Sequence, residues 1–271
     1  MRNQKDLKVG IAVLGTVGRT LAKALDAGIP GLQLGAVAAR DHSKAHAWLS
    51  QLDETVPVLS FEALAKECDI VVECAPAALL GSIVEPVLRA GKTVVVLSCG
   101  ALLNRTDLID LARETGGHIH VPTGALLGLD AVIAAAEGKI KSVRMITRKP
   151  VAGLLGAPYL IQNNIDISEI TEPLRVFSGS AREAAVGFPA NLNVAVALSL
   201  AGVGPEDTKL DIWADTTVTR NTHTIVVDSD AAGFQMTIEN IPTGNPKTGR
   251  ITAQSVIALL RKIAAPLRVG T

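Results

Sequence analysis

The segment KVGIAVLGTVGR, residues 8–19, decides the fold of this chain. Its first half is a run of small and β-branched apolar residues, which is typical of a strand covered on both faces. The run ends in Gly15-Thr16-Val17-Gly18, directly before a helical pattern. Glycines at such a turn let the backbone approach a pyrophosphate, which then meets the positive end of the helix dipole. The segment therefore predicts a nucleotide-binding turn in which Gly15, Thr16, Val17 and Gly18 contact the ligand.

This turn departs from the usual glycine spacing G-x-G-x-x-G, because Val13 stands where the first glycine falls. Ordinary strand–helix turns also use glycines, so the two that remain do not by themselves separate a nucleotide site from a structural turn. The position of the turn after the first strand of an alternating series favours the nucleotide-binding interpretation.

Strand-like and helical patterns alternate through the first half of the chain. The strand-like runs are Lys8–Leu14, Leu32–Ala39, Asp69–Ala75 and Thr93–Cys99. The segments with helical spacing are Thr20–Ala27, Ser43–Leu52, Ala77–Ala90 and Arg105–Thr115. This alternation implies right-handed crossovers and a doubly wound parallel α/β sheet, which is a Rossmann domain.

The pattern changes after about Gly124 and predicts a second, α+β domain. Helical spacing covers Ala125–Glu137 and Ala181–Ala201, the latter interrupted near Pro189. The strand candidates are Ser142–Lys149, Lys209–Asp215, Thr222–Asp228 and Gly233–Ile241. The last three follow one another, which predicts an antiparallel sheet.

The last amphipathic segment, Thr252–Ala264, predicts a helix that returns to pack on the first domain. We therefore expect a dinucleotide-binding domain over residues 1–124, completed by 246–271. A catalytic and dimerisation domain is expected over residues 125–245.

Composition excludes several classes of partner. The 271 residues carry 26 Lys and Arg against 26 Asp and Glu, a balance that argues against general binding of nucleic acid or membrane surfaces. No apolar run reaches the roughly 18–20 residues of a membrane helix, and the polar N-terminus lacks the pattern of a secretory signal. Cys68, Cys74 and Cys99 lie in apolar surroundings without metal-ligand spacing, so we expect buried thiols and no metal. A cytoplasmic protein is the expectation.

Two strand ends of the first domain offer further cofactor contacts. The second strand ends in Ala39-Arg40-Asp41. A carboxylate at this place binds the ribose 2′-hydroxyl of NAD, whereas an arginine can bind the 2′-phosphate of NADP. Arg40 comes first and favours NADP over NAD; the alternative is a surface cation paired with Asp41. Small residues around Ala75, at the end of another strand, would let a nicotinamide ring lie close to the backbone.

The second domain contains a candidate acid/base and a candidate anion-binding loop. His223 follows a polar stretch at the start of a strand, and an unperturbed histidine pKa near 6.5 suits proton exchange near neutrality. A lone histidine beside a strand is more often structural, so both interpretations stay open. The polar loop that contains Asn245, Lys247 and Thr248 can bind a carboxylate or can be an ordinary turn.

Five motifs occur in a fixed order along the chain. They are Val121–Ala125 (VPTGA), Gly179–Ala184 (GSAREA), Phe188–Ala195 (FPANLNVA), Asn221–His223 (NTH) and Asn245–Thr248 (NPKT). Together they resemble the L-aspartate dehydrogenases that form iminoaspartate, over essentially the whole chain. The resemblance implies a Rossmann domain, an α/β domain that carries the active site, and a homodimer. It also implies NAD(P)-dependent oxidative deamination of L-aspartate to iminoaspartate, which hydrolyses to oxaloacetate and ammonia, and the reverse amination.

The resemblance also assigns roles to single residues. His223 matches the family's active-site histidine, and Ala125 and Asn193 match positions that contact the nicotinamide cofactor. Val13 and Gly249 depart from the family, which commonly has glycine and serine there. In the family, iminoaspartate can feed pyridine nucleotide biosynthesis.

Three alternatives remain at this point. The chain could be a dehydrogenase of the same family with another amino acid or amine as substrate. It could be a different Rossmann reductase, such as dihydrodipicolinate reductase. It could also be a non-catalytic NADP-binding regulator.

Overall fold

The computed structural model describes residues 6–189, 192–243 and 249–271. The chain divides into two compact units. The first runs to Pro122 and includes Ala253–Val269, and the second is Thr123–Thr252 with the last two residues. The boundaries thus fall at residues 122 and 252, where the sequence indicated 124 and 245.

The first unit contains a six-stranded sheet of order β3-β2-β1-β4-β5-β6, and every neighbouring pair is parallel. The strands are β1 (Leu7–Ala12), β2 (Leu32–Ala38), β3 (Val58–Leu59), β4 (Ile70–Glu73), β5 (Thr93–Val96) and β6 (His118–His120). The predicted doubly wound parallel sheet is therefore confirmed. Strand β3, only two residues long, was not predicted.

Helices cover this sheet and bury its apolar strands. They are α1 (Thr16–Asp26), α2 (His42–Leu49), α3 (Phe61–Glu67), α4 (Leu80–Arg89), α5 (Thr106–Thr115) and α10 (Arg250–Ala264). Ile11 and Val72 of the sheet, Leu21 of α1, and Val256 and Leu260 of α10 belong to one buried cluster. Each large side chain of this kind stabilises the fold by roughly 1.5–3 kcal/mol, since apolar area is removed from water. The C-terminal helix is thus part of the core of the first unit.

The second unit contains a five-stranded mixed sheet of order β11-β10-β7-β9-β8. Its strands are β7 (Ile140–Lys149), β8 (Leu174–Ser180), β9 (Thr208–Ala214), β10 (Asn221–Ser229) and β11 (Gly233–Asn240). Three neighbouring pairs are antiparallel, but β7 and β9 are parallel. The predicted antiparallel pairing holds for β10 and β11 but not for β9, which lies beside β7 in parallel because the chain between β7 and β9 crosses over through β8 and three helices.

The helices of the second unit are α6 (Leu129–Ala136), α7 (Pro158–Gln162), α8 (Ala181–Gly187) and α9 (Asn193–Ala201). The predicted interruption near Pro189 is confirmed, since α8 ends at Gly187. The helix predicted from Ala125 begins only at Leu129, because Gly128 has a φ of 66° in the left-handed region. A Cβ on Gly128 would also clash with the end of the Met236 side chain, which would have to move.

Within the described part of the chain, every helix is too short or too polar to cross a membrane.

Candidate active site

The turn between β1 and α1 is shaped by a close approach of the two elements. A Cβ on Gly18 would lie 2.3 Å from the backbone oxygen of Val13, so only glycine allows this packing. Gly15, by contrast, has no atom within 4 Å of its Cβ position and precedes α1 without a side-chain cap. The first turn of α1 thus lacks a side-chain cap, and an uncapped helix N-terminus is a favourable place for a phosphate.

Val13 adopts a backbone conformation that usually requires glycine. Its φ is 79°, in the left-handed region, which costs roughly 1–2 kcal/mol for a residue with a Cβ. Its N–H donates to the carbonyl oxygen of Ala38 at 2.8 Å and helps to hold the turn. The departure from the glycine pattern thus changes the side chain and keeps a glycine-like conformation.

Arg40 is exposed and lies just after β2, the strand next to β1 in the sheet. Asp41 accepts a hydrogen bond from the Lys44 backbone N–H at 3.0 Å and forms an ion pair with the Lys44 ammonium at 3.3 Å. These contacts, above all the backbone N–H, lower the pKa of Asp41. Among the ion pairs of the described residues, Asp41 is paired with Lys44 and not with Arg40.

A buried carboxylate, which the sequence reasoning missed, joins the ends of β4 and β5. Glu73 is fully buried and accepts hydrogen bonds from the Ala75 N–H at 2.7 Å and the Ser98 N–H and hydroxyl at 2.9 and 2.7 Å. The Leu97 N–H, at 3.2 Å, is a fourth donor. Burial raises the pKa of Glu73, and these donors act in the opposite direction. Ala75 is therefore fixed at the same sheet edge as Gly15–Gly18 and Arg40.

His223 lies on β10 and is 3% exposed. Its Nδ1 is 3.1 Å from the Thr147 hydroxyl on β7, and the two residues are paired in register. Burial, together with the nearby charge of Lys149, lowers the pKa of His223 to about 3. Burial thus moves the pKa of this histidine below the unperturbed value near 6.5 and favours the neutral imidazole.

Lys149 is a second buried ionisable residue of this region, and sequence reasoning did not identify it. It ends β7, is 5% exposed, and has its pKa lowered to about 8 by burial. The signal was present in the sequence, because Val143, Met145, Thr147 and Lys149 alternate along one face of a strand. A lysine in step with valine and methionine is expected to point inward with them.

Ala125 is held close to the same end of the second sheet. Its carbonyl oxygen accepts a hydrogen bond from Asn240 Nδ2 at 2.9 Å, and Asn240 pairs in register with Asn221, two residues before His223. Among the described residues, the buried Oδ1 of Asn240 has no hydrogen-bond partner. A Cβ on Gly249 would lie 3.2 Å from this oxygen, so the serine common in the family would bring a side chain there.

The other predicted site residues are placed differently. Asn193 is exposed at the first position of α9. Asn245, Lys247 and Thr248 lie outside the described residues.

Comparison with known families assigns both halves of the chain. Residues 14–122 match a family described as the NAD-binding domain of homoserine dehydrogenase. Residues 130–263 match the C-terminal domain of aspartate dehydrogenase. The first unit is therefore a domain of the nicotinamide-nucleotide-binding type.

Among solved structures, an aspartate dehydrogenase from Thermotoga maritima has a TM-score of 0.73 at 23% identity, covering 97% of this chain and 99% of that one. This likeness establishes the fold. A scyllo-inositol dehydrogenase from Lactobacillus casei shares the general architecture at a TM-score of 0.54 and 14% identity, covering 95% of this chain and 86% of that one.

Curated relatives are similar over nearly their whole length. L-aspartate dehydrogenase 3 of Bordetella bronchiseptica is 58% identical over 100% of both chains. L-aspartate dehydrogenase of Bradyrhizobium diazoefficiens is 60% identical over 98% of this chain and 95% of its own. The chain therefore belongs to the aspartate dehydrogenase family.

Proposed function

We propose that the protein is a nicotinamide-dependent L-aspartate dehydrogenase. L-aspartate and the oxidised cofactor would give iminoaspartate, the reduced cofactor and one proton; water then adds to the imine and ammonia leaves, giving oxaloacetate. The reverse reaction aminates oxaloacetate. The observation that carries the proposal is the buried His223–Thr147 pair, in a chain that matches L-aspartate dehydrogenases over its full length.

His223 is proposed as the general acid/base. When Nδ1 carries the hydrogen and donates it to Thr147, Nε2 is left as a proton acceptor. Burial and the charge of Lys149 keep Nε2 unprotonated, which also weakens it as a base; an anionic substrate bound beside the ring would offset this by stabilising the protonated form while Nε2 takes a proton from the substrate amine or from the attacking water. The nicotinamide, when bound, accepts the hydride from the substrate α-carbon. Thr147 fixes the orientation of the ring throughout.

The residues of the β1–α1 turn fit a dinucleotide. Gly15 leaves the N-terminus of α1 open, and we assign Gly15, Thr16, Val17 and Gly18 to the pyrophosphate. Ala75, at the same sheet edge, is assigned to the nicotinamide side of the cofactor. Ala125 and Asn193 are also assigned to the cofactor. The Asn240 Oδ1 beside Ala125 would accept a hydrogen bond from a bound ligand.

We further propose that NADP is preferred over NAD, because the exposed Arg40 can reach a 2′-phosphate while Asp41 is engaged by Lys44. A charge-assisted contact contributes about 1.5–3 kcal/mol, or one to two decades in affinity. Arg40→Ala should weaken NADP binding by this amount and leave NAD binding unchanged, as measured by fluorescence titration of NADPH and NADH. Equal losses for both cofactors would contradict this role.

Asn245, Lys247 and Thr248 are proposed to bind substrate carboxylates through the lysine ammonium, the threonine hydroxyl and the asparagine amide. A cytoplasmic location is also proposed, since Cys68, Cys74 and Cys99 are all thiols.

A homodimer is proposed to form through the outer face of the second sheet. This face carries the partly exposed side chains of Ile146, Trp213 and Val226, with the Arg148 guanidinium 4.6 Å from the Trp213 ring centre. Sedimentation velocity should give twice the 28.2 kDa chain mass, and Val226→Arg should give the monomer. A wild-type chain that sediments as a monomer would contradict the proposal.

The experiment that tests the proposed function is a substrate panel. NADPH or NADH oxidation is followed with oxaloacetate plus ammonia, beside pyruvate, 2-oxoglutarate and glyoxylate with ammonia. The fastest rate should come from oxaloacetate. Faster amination of another oxoacid would point to a different substrate in the same family, and no turnover with any acceptor would contradict a dehydrogenase.

A further inference from the structure

The buried face of β7 changes in character along its length. It begins with Val143 and Met145, both fully buried, and ends with Thr147 and Lys149. The neighbouring strand β10 changes in the same direction across the pair, from buried Val227 to His223. The buried ionisable side chains of these two strands, Lys149 and His223, thus lie at one end.

Lys149 lies against the residues that surround His223. Thr222 pairs with Arg148 in register, so Lys149 comes next to Asn221, on the strand that carries His223. A Cβ built on Gly153 would lie 4.0 Å from both Asn221 Oδ1 and Lys149 Cβ. Gly153, which is exposed, thus lies beside both residues. The strand end is held by the Asp215 N–H, which donates to the Lys149 carbonyl oxygen at 2.8 Å.

The side chain of Lys149 is costly to keep in this place. Removal of an ammonium from water disfavours its charged form, and an apolar residue would fill the same inner face without that cost. A buried cation attracts an anion, and a neutral histidine beside it can exchange a proton with that anion. Lys149 and His223 together therefore suit an anionic substrate that exchanges a proton. In a low-dielectric environment such a cation binds a carboxylate far more strongly than a surface lysine does.

We propose that Lys149 binds a carboxylate of the substrate, with the Asn221 amide as a second donor beside it. This inference rests on the proposed function, because the dicarboxylate L-aspartate is the expected substrate. It makes Lys149 a determinant of specificity for acidic substrates, while His223 exchanges the proton.

The test measures binding separately from turnover. The probe is succinate, which has both carboxylates of L-aspartate but no reactive amine. Its dissociation constant is measured by calorimetry, with and without NADP⁺, for wild type, Lys149→Met, Lys149→Gln and Lys149→Arg. Lys141→Met is the matched control, since Lys141 is an exposed lysine on the same strand. Replacement of a buried charge by an apolar side chain is often neutral or stabilising, so Lys149→Met is expected to fold.

Loss of one partner of a buried charge pair corresponds to a weakening of binding by about a hundredfold. We expect this loss for the Met and Gln variants, a loss below about tenfold for Arg, and none for Lys141→Met. Succinate binding within twofold of wild type in Lys149→Met, or in Lys149→Gln should the Met variant not fold, would overturn the proposal.

A second comparison identifies which carboxylate is bound. In Lys149→Met, an equal fall of kcat/KM for L-aspartate and L-alanine indicates the α-carboxylate. A fall for L-aspartate alone indicates the side-chain carboxylate. Wild type that binds succinate but turns over neither amino acid would contradict the proposed function and leave the carboxylate site supported.

Discussion

In the first unit the parallel strands are apolar over their buried length except for Glu73 at the end of β4, whereas in the second unit β7 and β10 carry ionisable side chains at one end of their inner face. Val9, Ile11 and Val72 typify the first pattern, and Lys149 and His223 end the second. The ligand-binding features that we propose for the first unit are mainly backbone features, an uncapped helix end and glycines, together with the exposed side chain of Arg40. Those that we propose for the second unit are mainly buried side chains. On this proposal, cofactor binding depends mainly on chain conformation, and substrate chemistry depends on ionisable groups.

The two kinds of site cost stability in different ways. The first unit holds Val13 at a φ of 79°, a local backbone strain. The second unit holds a neutral histidine and a lysine away from water, and burial displaces both pKa values. Functional sites commonly reduce stability in this manner. A substitution at the β1–α1 turn or at a buried ionisable residue of the second unit therefore tests one kind of site and leaves the other unit intact.

The largest effect is expected at His223. His223→Asn keeps approximate size and hydrogen bonding to Thr147 but removes a proton acceptor. Turnover should fall by about 10²- to 10⁴-fold, the usual contribution of general acid/base catalysis, with cofactor affinity within a few-fold of wild type. Steady-state rates and NADPH titration check this. His118→Asn, an exposed histidine in β6 of the first unit, is the control and should behave as wild type.

The next effect concerns Lys149 and the pH dependence of stability. Its folded pKa of about 8 is below the ordinary value of 10.5, so the unfolded state binds more protons between these values. The free energy of unfolding should therefore rise as the pH rises through this window, by about 3 kcal/mol for a shift of this size. In Lys149→Met this rise should be missing, and the variant should already be more stable than wild type at neutral pH.

Urea denaturation of wild type, Lys149→Met and the control Lys141→Met across this pH range gives the comparison. Identical pH profiles for wild type and Lys149→Met would mean that the ammonium is not desolvated in the folded protein.

A smaller effect separates the two glycines of the first unit. Gly18→Ala places a Cβ against the Val13 carbonyl and should lower the free energy of unfolding by about 1–3 kcal/mol, as overpacking does. Gly15→Ala has open space and should change stability by less than about 1 kcal/mol, the usual range for an N-cap substitution. It should nevertheless weaken cofactor binding, because its methyl group would occupy open space at the turn that we assign to the pyrophosphate. Equal destabilisation by both variants would contradict this division.

The fold of the first unit could be predicted well, because parallel strands that are buried on both faces consist of nearly continuous apolar runs. It predicted the second sheet less well, since β7 and β9 become parallel neighbours only through the long crossover between them. The strands β9 and β10 follow one another in sequence but are not neighbours in the sheet. The short strand β3 has too few residues for a periodic signal, and the start of α6 depended on the left-handed Gly128.

Of the proposed site, the β1–α1 turn and His223 were predicted because each belongs to a recognisable motif, and their roles stay predictions. Lys149 and Glu73 were missed, although each is a charged residue in step with an apolar strand pattern. The shift of the His223 pKa could not be foreseen either, because it depends on burial and on a lysine from another strand.

The central claim is that the first unit binds the cofactor and that His223 of the second unit supplies the acid/base. The most direct test measures cofactor affinity, and kcat at saturating cofactor, for Gly15→Ala and His223→Asn in parallel. We expect Gly15→Ala to raise the cofactor Kd by at least about tenfold, equivalent to about 1.4 kcal/mol, with kcat within a few-fold of wild type. For His223→Asn we expect a nearly unchanged cofactor Kd and a kcat that is lower by about two decades or more. A His223→Asn enzyme that turns over L-aspartate at close to the wild-type kcat would contradict the acid/base role of His223.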